Sequence, residues 1–340
     1  MFYTLSLAAL LGFASLTPAL YTGQGHQDGA PSVHEVYSFP VNTSVENLAV
    51  RRTGHILANV DSAPELYQID PFCNDAKPTL IHEFEGYGSL LGIVEVEHDQ
   101  FYVAAGNFSV FTLEAVAGWW AIFHVDLSSF SARGDGSVES AAIVEKVAEI
   151  PEAELLNGLG LFSVEDGLIY AADSGSGIIY LVDVHTGDYW PAIQDPLTIK
   201  GEPLPDFASA NGVHYNAATQ SVYFTNIGQE VFGRVPVFAN GSQAGAAEVV
   251  MQGEMCDDFL LDDAGNAIIA VYGSNDVIRV DVANGNSTVI AGNANSTELE
   301  AVTAVAWGRT ARDSGSLYVS RNGGVGSVNV VGGGISRIDL

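Results

Sequence analysis

Hydrophobic and polar positions alternate along this chain in short runs, and one arrangement of those runs recurs six times. Each unit reads as an apolar run, a Gly or Asp turn, a second apolar run, a short loop and a third run that usually closes on Asp. Leu66-Tyr67-Gln68-Ile69-Asp70, Phe123-His124-Val125-Asp126 and Ile278-Arg279-Val280-Asp281 are closing runs of this kind, whereas Arg234-Val235-Pro236-Val237 in the fourth unit lacks the Asp. Alternation enriched in Val, Ile, Tyr and Phe marks β-strands. Units of this length cannot each bury an apolar face alone, so they pack radially around a common axis. The prediction is an all-β chain, a six-bladed β-propeller with four-stranded blades.

Innermost strands are predicted to start near Glu46, Gly92, Gly158, Gly212, Asp258 and Thr303. The sixth unit has no outer strand of its own, because the chain stops at Leu340. The alternating segment 33–39 ahead of the first unit can supply it, closing the ring by pairing the two ends of the chain and removing an exposed edge.

Strand direction then sets the geography. Loops leading into the innermost strands, and loops between second and third strands, share one face of the ring. On that face lie a long insertion, 106–120, ending in Trp119-Trp120, and a Pro-rich connection, 194–210, that includes Phe207; Tyr87 precedes the second unit. Long loops on one face of a regular scaffold commonly wall a binding site. Tyr87, Trp119, Trp120 and Phe207 are therefore expected to contact substrate.

Composition narrows the partners. A chain of 340 residues, 47% hydrophobic, can form one large all-β domain. Against 12 Lys and Arg stand 41 Asp and Glu, and the net charge of −29 repels phosphate backbones and anionic headgroups. Nucleic acid and membrane surfaces are thus excluded in favour of small molecules, and a monomer is expected. The apolar stretch 5–16 followed by Thr17-Pro18-Ala19 has the form of a secretory signal peptide, 1–19, too short for a membrane span, leaving a single domain over 20–340. Five sequons, at Asn42, Asn107, Asn240, Asn286 and Asn295, fit a glycosylating secretory route. Cys73 and Cys256 fall on opposite faces of non-adjacent blades and are expected to stay unpaired.

Candidate chemistry sits where the innermost strands begin. Four of these starts carry oxygen donors: Glu46-Asn47, Asn157-Gly158, Asn211-Gly212 and Asp257-Asp258. Carboxylates and amide carbonyls converging from separate blades make a hard-oxygen site suited to Ca²⁺. Adjacent strand residues point oppositely, so one of the two Asp side chains should face the funnel, and Asp257 is the expected one. His214 reads as a core or channel histidine. No Gly-x-Ser-x-Gly elbow occurs, which sets a serine hydrolase aside.

Asn211-Gly212-Val213, Asp257-Asp258-Phe259-Leu260-Leu261-Asp262 and Glu46 before an apolar strand resemble the six-bladed propellers of the regucalcin and gluconolactonase family. The resemblance implies that Glu46, Asn211 and Asp257 match metal ligands and Asn157 a substrate-contacting Asn. Asp258 and Asn47 depart from it, each standing where the family usually has Gly.

A narrower resemblance is carried by Val45-Glu46-Asn47-Leu48-Ala49-Val50, Pro64-Glu65-Leu66-Tyr67-Gln68-Ile69-Asp70-Pro71, Ala104-Ala105-Gly106-Asn107-Phe108-Ser109, and Trp307-Gly308-Arg309-Thr310. These runs are similar to secreted fungal propellers that include hetero-Diels-Alderases of tropolone and meroterpenoid pathways. That resemblance implies loss of water from a hydroxymethyl-substituted aromatic to a quinone methide, then its addition to a macrocyclic sesquiterpene alkene, with no cofactor required. Asp257, Glu46 and Asn157 would be the catalytic residues, with Asn211 and Asp258 contacting substrate. A Ca²⁺-dependent lactonase or esterase and a non-catalytic ligand- or glycan-binding propeller remain the alternatives.

Overall fold

Each repeat unit of the computed structural model folds into a four-stranded antiparallel sheet, and in the first five the chain crosses the sheet from its innermost to its outermost strand. The structure describes residues 31–73, 75, 77–199, 209–325 and 330–340. The segment 1–19 read as a signal peptide lies outside them, as does Phe207. No helix occurs among the described residues, so none is long and apolar enough to cross a membrane.

Blade 1 runs from Val45–Val50 out to Thr79–Glu83, blade 2 from Ser89–Glu97 to Ile143–Glu149, and blade 3 from Leu156–Ser163 to Tyr189–Ile193. Blades 4, 5 and 6 begin with Ala210–Asn216, Cys256–Leu261 and Val302–Trp307. Strand Ser32–Ser38 pairs antiparallel with the C-terminal strand Gly334–Asp339 and completes blade 6, as the alternation predicts. The protein is a six-bladed β-propeller.

Core packing explains why the repeats hold together. Six hydrophobic clusters are present, each drawing on two neighbouring blades. Leu57, Leu66 and Phe84 of blade 1 meet Leu90, Phe101 and Val103 of blade 2, for example, while Val45 and Ile56 meet Ala304 and Tyr318 across the closure. No blade has a core of its own, so burial depends on completing the ring. Arg321, buried in blade 6, donates to Glu35 on the closing strand at 2.7 Å and fastens the two chain ends.

One expectation is corrected here. The insertion 106–120 is not a loop: strands Gln100–Ser109 and Glu114–Asp126 stay paired out to Ser109 opposite Glu114, forming a long hairpin. Its Gly106 faces Trp120 because a Cβ there would lie 2.2 Å from the indole ring. Cys73 is exposed and Cys256 buried, and neither is disulfide-bonded.

Candidate functional site

Every innermost strand loses register at the same depth. The slips fall between Val45 and Asn47, Leu90 and Ile93, Leu156 and Leu159, Ala210 and Val213, Cys256 and Phe259, and Val302 and Ala304. A bulge inserts unpaired residues, bends the strand and breaks strict alternation. Within the slips stand Glu46, Asn157, Asn211 and Asp257, which converge at the mouth of the central channel, and Asp258, which lies one layer below them. Glycine beside them lets the strands close in: a Cβ on Gly158 would lie 2.4 Å from the Asn211 carbonyl oxygen, and one on Gly92 2.2 Å from that of Asn157. Between blades 4 and 5, Thr225 Oγ1 accepts from Gly212 N at 2.8 Å and donates to Asp257 O at 2.6 Å, fixing the backbone under Asp257.

The bulge alters the expectation for the acidic pair. Asp257 and Asp258 are both buried, and both carboxyls are close enough to Glu46 to repel it or be repelled. A strand in strict alternation would have turned one away.

Electrostatics at the mouth is one-sided. Burial, with repulsion from Asp61 and Asp258, pushes the Glu46 carboxyl up to about 8, against a partial offset from the Asn157 amide. Burial raises Asp61 to about 6. Asp257 is held well above the usual carboxylate range by burial first, then by Glu46 and Asp258, with Asn211 opposing. Among the described residues, no Lys or Arg acts on these three. At neutral pH such a cluster is stable with a proton retained or with a cation bound.

The donor set fits a cation. Oδ1 of Asp61, Asn157, Asn211 and Asp257 are buried without a hydrogen-bond partner. Orphaned buried oxygens cost free energy unless something satisfies them, and an all-oxygen set is the chemistry Ca²⁺ takes. The triad Glu95, His98 and Asp99 elsewhere is also close enough for a metal. Arg51 and Arg309 already neutralise its carboxylates, with Arg51 bonded to both oxygens of Asp99.

Below the mouth, a hydrogen-bonded layer crosses the channel. Asn47 Nδ2 donates to Asp258 Oδ2 at 2.8 Å, while Oδ1 of the same carboxylate accepts from Phe259 N at 2.7 Å and faces His214 Nε2 at 3.0 Å. Three blades are joined this way, and the two residues that depart from the family's Gly are partners of each other. His214, against the Phe259 ring at 4.6 Å, is the channel histidine expected.

The aromatic residues do not gather at the mouth. Tyr87 packs edge-on to Phe123 at 5.3 Å, beside Lys146 and Glu149 of the outermost strand of blade 2. Trp120 is buried between blades 2 and 3, its indole N–H donating to Glu154 O at 2.9 Å. Trp119 projects into solvent from the long hairpin. Sequence reasoning missed Asp61 and Tyr272. Tyr272, whose phenol is raised by burial and then by Asp257, Asp61 and Glu46, stands beside the cluster. Both residues directly follow second strands, Ile56–Val60 and Ala267–Val271, on the face already singled out, and that position was the available signal.

No protein-family model matches the chain. A Phoma sp protein named "Putative hetero-Diels-Alderase" is 23% identical over 314 residues, covering 84% of this chain and 86% of the relative. A luciferin-regenerating enzyme superposes with a TM-score of 0.64 at 15% identity, covering 92% of this chain and 96% of that one. The calcium-binding protein regucalcin from Agrobacterium tumefaciens gives 0.62 at 16% identity, covering 90% and 92%.

Proposed function

We propose that this protein is an enzyme of the hetero-Diels-Alderase type, joining an aromatic or tropolone quinone methide to a macrocyclic sesquiterpene alkene at the channel mouth. The observation that carries the reading is the convergence, at register slips of separate blades, of Glu46 with Asn157 and of Asp257 with Asn211, where burial, Asp61 and Asp258 push the Glu46 carboxyl up. Similarity to the Phoma protein over most of both chains supports it.

The residues divide the work as follows. Glu46 protonates the leaving hydroxymethyl oxygen, the benzylic C–O bond breaks, and water departs. Asp257 takes the proton from the ring hydroxyl, so the aromatic becomes a neutral quinone methide. Asn157 and Asn211 offer amide N–H donors to the ring oxygen. Addition to the alkene forms one C–C and one C–O bond with no net proton change, and the proton on Asp257 returns to Glu46. Holding both apolar partners in register supplies up to roughly 7–11 kcal/mol of the barrier.

The experiment is product analysis with a hydroxymethyl phenol and a macrocyclic sesquiterpene alkene. Stereoselective adduct from the wild type, lost in Glu46→Gln, is expected. An unchanged rate and stereochemistry in that variant sinks the role of Glu46.

The four partnerless oxygens favour a second reading, a Ca²⁺-dependent lactonase. Asp61, Asn157, Asn211 and Asp257, with Glu46 ionised, would hold the ion, which supplies Lewis-acid polarisation of a carbonyl. A secretory location belongs to the same proposal, supported by exposure of Asn42, Asn240, Asn286 and Asn295 in their sequons. Small apolar molecules are the proposed partners of a monomeric chain.

A further inference from the structure

The layer formed by Asn47, Asp258 and His214 borders a cavity of about 400 Å³. It is built from the later residues of the innermost strands. Ala49 follows Glu46 by three positions, and Leu159, Leu260, Val94, Ala306 and Trp307 likewise lie beyond the bulges of their own strands. None of Glu46, Asp61, Asn157, Asn211 or Asp257 lines it. The cavity therefore belongs to the end of the channel where these strands finish, and the mouth cluster to the end where they start.

Its size is that of a small-molecule site, and its walls are apolar on nearly every side. Five polar residues interrupt them; Asn47, Asp258 and Glu95 are already partnered within the protein, which leaves two features. Arg309 at the rim donates to the Val50 carbonyl oxygen at 2.7 Å and is ion-paired with Glu95. Its charge is thus already matched, and the cavity does not require an anion. The other feature is His214, which is about one-third exposed while its Asp258 partner is buried. Asp258 accepts from Asn47 Nδ2 and Phe259 N, and its Oδ1 lies 3.0 Å from His214 Nε2. The other ring nitrogen, Nδ1, has no hydrogen-bond partner among the described residues. One unpartnered ring nitrogen among mostly apolar walls suits a ligand with one hydroxyl on an apolar skeleton, because a polar group is costly to desolvate without a partner and a hydroxyl both donates and accepts.

We propose that this cavity binds a small neutral phenol or enol, its apolar body against Trp307, Leu159 and Ala306 and its hydroxyl hydrogen-bonded to His214 Nδ1. Asn47 and Asp258 act as positioning residues, holding the imidazole through Nε2 so that Nδ1 is left to the ligand. The site is independent of the chemistry assigned to the mouth.

Binding of 2-naphthol and of naphthalene to the full-length protein, measured by calorimetry and by Trp fluorescence, tests this. Wild type should take up one 2-naphthol, with a fluorescence change that Trp307→Phe removes. His214→Phe keeps a ring against Phe259 and lacks the ring nitrogen; it should weaken 2-naphthol about tenfold while altering naphthalene less than about twofold. Ala306→Phe, which fills the cavity, should abolish both. Glu46→Gln should leave both within about twofold, so a failure of the mouth chemistry and a failure of this site read out separately. Absence of saturable binding to the wild type, full affinity in Ala306→Phe, or equal loss of both probes in His214→Phe overturns the proposal. Loss of 2-naphthol in Glu46→Gln places the binding at the mouth and overturns it as well.

Discussion

Asn47 donates its side-chain N–H to Asp258 Oδ2 at 2.8 Å across 211 positions of sequence, although their blades are separated by blade 6. Each residue alone looks like a misfit. Asp258 crowds the strand of blade 4, where a Cβ on Gly212 would lie 2.4 Å from Asp258 Oδ1, and a lone carboxylate at that depth would add to the repulsion on Glu46 and Asp257. With Asn47 opposite, the carboxylate gains a donor, and the channel gains a floor between its two compartments.

The pair should therefore be energetically coupled. Asn47→Ala strands a buried carboxylate oxygen and is expected to cost on the order of 1–3 kcal/mol in urea unfolding. Asn47→Gly combined with Asp258→Gly removes donor and acceptor together, and should destabilise by less than the sum of the single changes, a coupling of about 1 kcal/mol or more. Strict additivity would show that the hydrogen bond contributes nothing to the fold.

Stability should fall with rising pH. Between 4.5, the ordinary value for a glutamate, and about 8, the unfolded chain releases the Glu46 proton that the folded protein keeps. Over that window the native state binds more protons, so the free energy of unfolding decreases as pH rises and levels off above it. Asp61, raised to about 6, adds a decline at the acidic end of the same window. Glu46→Gln should flatten the curve, exceeding the wild type at pH 8 by on the order of 1–3 kcal/mol and showing no such gain at pH 4.5. Thermal unfolding across pH measures it, and parallel curves for the two proteins would remove Glu46 as the source.

Ring closure should depend unequally on the two ends of its ion pair. The Arg321 side chain is 2% exposed and Glu35 is 53% exposed. Removing the half-solvated carboxylate in Glu35→Gln should cost at most about 1 kcal/mol. Arg321→Ala empties a buried site that also donates to Ser38 and faces the Gly332 carbonyl. About 2–5 kcal/mol is expected there. Proteolysis within 32–38 should accelerate in Arg321→Ala alone; equal sensitivity of both variants would mean that the pair is not what secures the strand.

Much of this architecture was legible from alternation. The six innermost strands, the outer strands and the closing segment follow from period-two patterning, because each blade buries a full face against its neighbour. What patterning does not encode is the bulge. Asp258 was expected to point away from the funnel, yet the slip between Cys256 and Phe259 brings it beside Glu46 with Asp257. Asp61 and Tyr272 were missed since they follow second strands, where the repeat shows no shared residue type. Trp119-Trp120 read as the end of a loop walling the binding site, whereas the pairing of Gly106 with Trp120 continues the sheet and buries only one of the two rings.

The mouth cluster must settle its charge with protons or with a cation, and the two outcomes are separable in one titration. If Ca²⁺ binds, Glu46 ionises to receive it, so binding at pH 7 should release a proton, seen as a buffer-dependent heat. Ca²⁺ at 100 times its Kd should then stabilise the protein by about 2.7 kcal/mol. Asn157→Ala and Asn211→Ala should weaken binding about tenfold or more, since each removes an oxygen that no other described residue satisfies. A flat titration with no shift in melting temperature sinks the lactonase reading and leaves the proton on Glu46 as the means by which three buried carboxyls coexist.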